Sequence, residues 1–135
     1  MKFLGWLIWK IKIINRLALE KYQTSKVKAG KGSSVRGLVE IEHPENILIG
    51  INSFVNGGQL FAGNDSKIII GNNCMISYNV HIRTTYHNFT DTNIPMNAQG
   101  MSERDIVIED NCWIGHSAHI MPGVTIHEGG AVPIL

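Results

Sequence analysis

The last third of the chain places an aliphatic residue at every sixth position, from Ile108 through Ile114, Ile120 and Ile126 to Val132. This period fits neither the 3.6-residue repeat of an amphipathic helix nor the alternation of a half-buried strand. Three residues after each aliphatic residue comes one that suits a tight turn, and four after it comes a small one. Each unit therefore predicts one short strand and one corner, and three units make a coil of about eighteen residues. The turn positions are Asn111, Ser117, Gly123 and Gly129, and the small ones are Cys112, Ala118, Val124 and Gly130.

The same spacing extends to the middle of the chain, where it predicts inward residues and turns. The inward positions are Val35, Ile41, Ile47, Ile49, Val55, Phe61, Ile70, Ile76 and Ile82, and the turns are Asn52, Gly58, Asn64, Asn73 and Asn79. Ile49 and Ile70 are 21 residues apart, but Ile70 and Ile108 are 38 apart. The surplus residues must leave the stack and return to it, which predicts a protruding loop over 83–105.

Composition limits the classes of function. The chain has 135 residues, a net charge of +1 and 44% hydrophobic residues, which suits one small globular domain and gives no reason to expect nucleic acid as a partner. Cys74 and Cys112 follow asparagine in matching contexts and are expected to be small buried residues in stacked corners. A disulfide between coils is the alternative, but two cysteines without a secretory signal favour reduced thiols and a cytoplasmic location.

Residues 1–25 form a different kind of segment, for which the sequence predicts an amphipathic helix. Its apolar run is interrupted by Lys10 and Lys12, so it is too short to span a membrane. Trp6 and Trp9 among cations are typical of a helix lying in a membrane interface, which would make the protein peripheral at the inner face of the cell membrane. The other interpretation, compatible with the first, is that the helix covers the open end of the coils.

The loop carries a further pattern. It begins with His87, continues with a proline and a Gln-Gly pair, and returns through a strand that leads into Trp-Ile-Gly. With the six-residue repeat, this arrangement resembles the hexapeptide-repeat acyltransferases that acetylate galactosides, maltose and polysaccharides. The resemblance covers residues 30–132. It implies an all-β fold over 26–135, a left-handed parallel β-helix of triangular coils, with the helix in front and one protruding loop.

The resemblance also implies an activity. Such an enzyme moves an acetyl group from acetyl-CoA to a sugar or polysaccharide hydroxyl, and the histidine that matches His87 is its general base. An imidazole suits that role because histidine side chains in general have a pKa near neutral pH and can accept a proton there. Direct transfer is expected, since no serine or cysteine stands out as an activated nucleophile. The family also implies a homotrimer with sites between subunits.

Other site residues follow from the same resemblance. Asn56 and Asp65 match positions that bind the carbohydrate acceptor. Trp113, Gly115 and His116 match positions that contact the cofactor, although family members often carry a small hydroxyl residue where this chain has His116.

Two alternatives remain open. A γ-type carbonic anhydrase uses the same fold with three zinc-binding histidines, but the spacings of His81 and His87 and of His116 and His119 do not match it, so no metal is expected. After Ile126 the sequence also departs from the family, whose further coils and lysine-bearing corner hold much of CoA. A truncated, catalytically silent β-helix with an assembly role is therefore the second interpretation, and retained CoA binding would distinguish the two.

Overall fold

The protein is a three-sided parallel β-helix preceded by one α-helix, as a computed structural model of residues 1–133 shows. The predicted β-helix region extends to residue 135, and its last two positions lie outside the described residues. Helix α1 spans Lys2–Lys26, and 3-10 turns occupy Pro44–Asn46 and Met96–Ala98. The strands are β1 (Lys28–Ala29), β2 (Ser34–Val35), β3 (Val39–Glu42), β4 (Ile47–Ile49), β5 (Phe54–Val55), β6 (Gly58–Phe61), β7 (Ile68–Ile70), β8 (Met75–Ile76), β9 (Val80–Arg83), β10 (Thr85–His87), β11 (Met101–Glu103), β12 (Ile106–Ile108), β13 (Trp113–Ile114), β14 (His119–Ile120), β15 (Thr125–Ile126) and β16 (Ala131–Val132).

Successive strands of each coil belong to three different sheets, and each strand pairs in parallel with the equivalent strand of the next coil. Sheet A contains β1, β4, β7, β12 and β15, sheet B contains β2, β5, β8, β13 and β16, and sheet C contains β3, β6, β9 and β14. The predicted left-handed parallel β-helix with one protruding loop is thereby confirmed.

Aliphatic columns from all three sheets fill the interior, and sheet A supplies a second column of Ile47, Ile68 and Ile106. Sheet A contributes Ile49, Ile70, Ile108 and Ile126, sheet B contributes Val35, Val55, Ile76, Ile114 and Val132, and sheet C contributes Ile41, Leu60, Ile82 and Ile120. Ile76, Ile82, Ile108 and Ile114 are fully buried, whereas Ile126 and Val132 are only partly covered. The 21- and 38-residue spacings thus place residues in stacked positions, as predicted.

The corners depend on a left-handed backbone at one residue. Positive φ angles occur at the predicted turn residues Asn52, Gly58, Asn73, Asn79, Asn111, Ser117, Gly123 and Gly129. Asparagine and glycine tolerate this conformation at little cost. Asn64 also lies in a corner, as predicted, but it does not adopt a positive φ. Its corner, residues 62–67, is longer and is held by side-chain hydrogen bonds instead.

The prediction that Phe61 points inward was also wrong. Leu60 occupies the inward column, in register with Ile41 and Ile82, while Phe61 pairs with Arg83, whose guanidinium lies 4.6 Å from the phenyl ring centroid. The cause is that Gly57 and Gly58 shorten this side of the coil by one residue. A side chain at Gly58 would collide with the backbone of Val80, so only glycine allows this close approach.

Cys74 and Cys112 are buried free thiols, so the alternative of a disulfide between coils is not realised. The thiol of Cys74 donates to the carbonyl of Glu109 at 3.1 Å, and that of Cys112 donates to the carbonyl of His127 at 3.2 Å. Both therefore fill corners as small residues that contact the next coil.

Helix α1 docks on the first coil through its C-terminal turns. Gln23 is buried, its amide donates to the carbonyl of Gly37, and its side-chain oxygen accepts the N–H of Val39 at 3.0 Å. Thr24 Oγ1 accepts the N–H of Val35 at 2.9 Å. These bonds satisfy backbone groups at the open end of the β-helix, which is the covering role considered above.

The N-terminal turns of α1 leave a large apolar surface exposed. Its members are Phe3, Leu4, Trp6, Leu7, Ile8, Trp9, Ile11, Ile14 and Leu17. No helix among residues 1–133 combines the length and the apolar character needed to cross a membrane.

Candidate functional site

The protruding segment is a β-hairpin that leaves the stack at the corner between sheets C and A. Strands β10 and β11 are antiparallel, with Thr85 opposite Glu103 and His87 opposite Met101. The chain leaves after Arg83 and re-enters sheet A at Ile106, whose N–H donates to the carbonyl of Lys67 at 2.9 Å. The hairpin is therefore an excursion between two coils whose stacking register is preserved.

The base of the hairpin is fastened to corner 62–67 by a buried hydroxyl pair. Thr84 is fully buried, and its Oγ1 accepts the N–H of Gly63 at 2.7 Å. The hydroxyl of Ser66, also buried, is hydrogen-bonded to Thr84 Oγ1 at 2.6 Å. Because buried polar groups are costly unless paired, this network fixes where the hairpin begins.

Glu103 completes this fastening from the returning strand. Its carboxylate accepts the N–H of Asp65 at 3.0 Å, the hydroxyl of Ser66 at 2.9 Å and, more weakly, the N–H of Asn64 at 3.3 Å. These donors, the Asp65 N–H first, hold the pKa of the Glu103 carboxyl below its ordinary range. A Cβ on Gly63 would overlap the carboxylate, so a larger residue there would displace Glu103 from these donors. We call Ser66, Thr84 and Glu103 the clasp.

The tip of the hairpin is ordered by side chains that bond to its own backbone. Gln99 Nε2 donates to the carbonyls of Asp91 and Ile94, each at 2.8 Å, and Gln99 Oε1 accepts the N–H of Asp91. Asn88 Nδ2 donates to the carbonyl of Gln99 at 3.1 Å. The Gln-Gly pair of the sequence motif thus has a structural task, and His87, next to Asn88, is presented exposed on a stiffened hairpin.

The structure brings together only some of the predicted site residues. His87 and Asp65 lie at the corner between sheets C and A, where the Asp65 N–H contacts the clasp. Asn56, Gly115 and His116 lie instead at the corner between sheets B and C. Sheet C separates these two corners within one chain, so the predicted residues do not form one constellation in a single copy.

The three predicted cofactor residues are neighbours of one another. Trp113 lies on the outer face of sheet B and is 40% exposed, so its ring is accessible to a ligand. Gly115 is buried, and its N–H donates a hydrogen bond to the carbonyl of Val132 at 2.7 Å. His116 is exposed, with Nδ1 2.8 Å from the hydroxyl of Ser117, so a small hydroxyl group does lie beside it.

A polar row along the outer face of sheet C was missed by the sequence reasoning. Glu40, Gln59, His81 and His119 are in register on successive coils. Gln59 Nε2 donates to Glu40 at 2.9 Å, and Gln59 Oε1 lies 2.8 Å from His81 Nδ1. The rings of His81 and His119 stack with centroids 4.5 Å apart. The available signal was their separation of 38 residues, the same as that of the stacked pair Ile70 and Ile108.

This row determines the protonation pattern of His81. Because Gln59 presents its oxygen to Nδ1, the proton of the neutral ring sits on Nδ1 and leaves Nε2 as an acceptor. His81 and His119 line a cleft of about 240 Å³ with Phe61, Arg83 and Met121. Within residues 1–133, no three histidine, cysteine, aspartate or glutamate side chains are grouped as a metal site requires.

The buried thiols are poor candidates for a nucleophile. Burial raises the pKa of the Cys74 thiol, which keeps it protonated and unreactive at neutral pH.

Comparisons with known proteins point to one family. Residues 105–130 match the model of the bacterial transferase hexapeptide (six repeats). The chain is 27% identical over 124 residues to WcaF of Escherichia coli (strain K12), whose name assigns it to colanic acid biosynthesis as an acetyltransferase, and the match covers 92% of this chain and 65% of WcaF.

Two solved structures are similar as well. A hexapeptide-repeat-containing acetyltransferase from Vibrio cholerae is 28% identical with a TM-score of 0.72, and the match covers 89% of this chain and 65% of that one. A galactoside acetyltransferase in complex with coenzyme A is 28% identical with a TM-score of 0.62, covering 77% and 52% respectively. The chain thus spans less than two thirds of the length of these relatives.

The clasp leads to a prediction about Glu103→Gln. Removing the carboxylate charge should loosen the hairpin, because an amide cannot accept three donors as a carboxylate does. Hydrogen exchange over residues 85–103 should accelerate, while exchange in sheets A, B and C stays unchanged. In the unmodified protein the same loosening should appear on acidification. A lowered pKa means that the stabilisation is present above the ordinary value of 4.5 and is lost as pH falls through the folded-state pKa.

A matched control is Asp110→Asn. The Asp110 carboxylate also links two coils, accepting the N–H and the side-chain amide of Asn72 at 2.8 and 3.0 Å, but it lies at the corner between sheets A and B. Removing the Asp110 carboxylate should accelerate hydrogen exchange near Asn72 and leave the exchange of the hairpin slow. Unchanged exchange of the hairpin in Glu103→Gln would contradict the role of the clasp.

Proposed function

We propose that the chain is a hexapeptide-repeat O-acetyltransferase that uses acetyl-CoA to acetylate a hydroxyl of a sugar or polysaccharide. The observation that carries the proposal is an exposed histidine, His87, on a hairpin that leaves the stacked coils and is clasped to them at its base. The name of WcaF and the coenzyme A bound to the related galactoside enzyme support the same reaction class.

In the proposed reaction His87 is the general base. Its imidazole accepts the proton of the acceptor hydroxyl as the oxygen attacks the thioester carbonyl carbon. When the carbon–sulfur bond breaks, His87 returns the proton to the departing sulfur, so that the products are an acetyl ester and free CoA. Backbone N–H groups of neighbouring coils are the donors proposed for the tetrahedral oxyanion. Transfer is direct, in line with the raised pKa of Cys74.

The arrangement of the site supports assembly from more than one copy. Asn56 and Asp65 are the proposed acceptor residues, and Trp113, Gly115 and His116 are the proposed contacts of acetyl-CoA. Since sheet C lies between the two corners that carry them, we place each site between adjacent copies of a homotrimer. The exposed Trp113 ring beside the corner suits a long, partly apolar ligand that runs along the outside of the coils.

His87→Ala tests this mechanism. Removing the base should lower kcat for acetyl transfer to sugar acceptors by about 10²–10⁴-fold. Acetyl-CoA binding, measured by calorimetry, should be retained, because the proposed contacts lie at the other corner. His127→Ala is the matched control, since that imidazole is also exposed but lies on the corner between sheets A and B, beside Glu109.

Two results would overturn the proposal. If His87→Ala transferred acetyl groups as fast as the unmodified chain, His87 would not be the base. If the unmodified chain failed to bind acetyl-CoA at millimolar concentration, the catalytically silent β-helix would become the better account.

We place the protein at the inner face of the cell membrane, with the N-terminal turns of α1 in the lipid interface. Their exposed apolar surface includes Trp6 and Trp9, and Lys10 lies 5.7 and 5.5 Å from the two ring centroids. The first acidic residue is Glu20, so the exposed turns carry only positive charge, which attracts anionic headgroups. An acceptor sugar held on a membrane lipid would then be close to the site.

Vesicle binding checks this placement. The chain should co-sediment with phosphatidylglycerol vesicles and much less with phosphatidylcholine ones. The double variant Trp6→Ser, Trp9→Ser should weaken binding about tenfold or more through lost apolar burial. Tyr22→Ser, in the docked half of α1, should have no effect. Equal binding by the double variant would place the helix elsewhere, for example against a second copy.

A further inference from the structure

A second cleft lies where α1 passes the corner between sheets B and C. Its volume is about 370 Å³, and its walls are Arg16, Glu20, Arg36, Gly37, Asn56 and Tyr78. Helix α1 therefore builds one side of the pocket that contains Asn56, the proposed acceptor residue. Sequence reasoning assigned the helix no part in the site.

Three contacts hold Arg36 in the wall of this cleft. Its Nε lies 2.8 Å from the hydroxyl of Ser34 and 3.7 Å from a carboxylate oxygen of Glu20, and its guanidinium carbon lies 4.4 Å from the ring centroid of Phe54. These contacts use the Nε donor and one face of the guanidinium. Its terminal amino groups can still donate to a ligand, and the loss of side-chain freedom on binding is small.

The charges of the cleft favour an anion. Arg16 and Arg36 contribute two positive charges, and Glu20 contributes one negative charge. Lys12 lies one helical turn before Arg16 and adds to the positive potential. A neutral sugar can accept hydrogen bonds from guanidinium groups but gains no charge attraction, whereas phosphate oxygens carry negative charge and match the planar, forked geometry of arginine.

We propose that this cleft binds a phosphate or diphosphate group carried by the acceptor sugar, with Arg16 and Arg36 on the phosphate and Asn56 on the sugar. The acceptor is then a phosphate-linked sugar and not a free one. This step rests on the proposed function only in calling the ligand an acceptor, because anion binding can be measured without any turnover.

Calorimetry with a matched pair of ligands is the test. Glucose 1-phosphate and inorganic pyrophosphate should bind, glucose should not, and the affinity should fall as salt is raised. Arg16→Gln and Arg36→Gln should each weaken phosphate binding about tenfold, the usual size of a lost charge-assisted hydrogen bond. Lys31→Gln removes the same charge from an exposed corner and should change nothing.

Three outcomes would overturn the proposal: no phosphate binding up to about 10 mM, equal binding of glucose, or the same loss in Lys31→Gln as in the arginine variants.

Two further ligands distinguish the source of the phosphate. Tighter binding of a nucleoside-diphosphate hexose in solution indicates a soluble acceptor, and tighter binding of a polyprenyl-diphosphate hexose in micelles indicates a membrane-borne one. If the unmodified chain bound acetyl-CoA but no phosphate, this inference would be refuted and the transferase proposal would stand.

Discussion

Parallel stacking of coils is the constraint on which the rest of the molecule depends. Each short strand of sheets A, B and C pairs with the equivalent strand one coil away, so the hydrogen bonds of these sheets run between coils. The inward columns must therefore stay in register, since a slip of one residue would turn every buried isoleucine outward. Left-handed corner residues such as Asn73 and Asn111 keep that register by turning the chain in little space.

A scaffold of this kind can carry chemistry only at its corners and on its outer faces. The excursion that bears His87 uses one corner, and the clasp of Ser66, Thr84 and Glu103 transmits the rigidity of the coils to the hairpin. The other corner combines Asn56 with two arginines, one of them from α1. Sheet C lies between the two, which explains why a site built from both corners needs adjacent copies. Helix α1 contributes to several of these features. Its C-terminal half closes the first coil and lines the cleft that contains Arg16 and Arg36, while its first turns remain exposed.

The sequence allowed most of the fold to be predicted because the repeat is local and short. The prediction from the repeat failed at Gly57 and Gly58, where one side of a coil is shorter by one residue. Leu60 therefore occupies the inward column in which Phe61 was expected. The sequence also could not show that Gln23, a polar residue on an amphipathic helix, is buried against Gly37 and Val39. The role of Glu103 depends on partners nearly forty residues away in sequence, and no local pattern indicates them. His81 and His119 were within reach, because their spacing equals that of stacked isoleucines.

Mixing two variants that each lack one proposed site residue tests most directly whether the active site is shared between copies. His87→Ala and Asn56→Ala alter the two corners on either side of sheet C, and in the proposed homotrimer each site would take one of these residues from each of two adjacent copies. Random mixed trimers formed by co-expression should then regain about a quarter of the activity of the unmodified protein, since one site in four would have both residues intact. No activity in the mixed trimers, with each variant folded and trimeric, would contradict a site shared between copies.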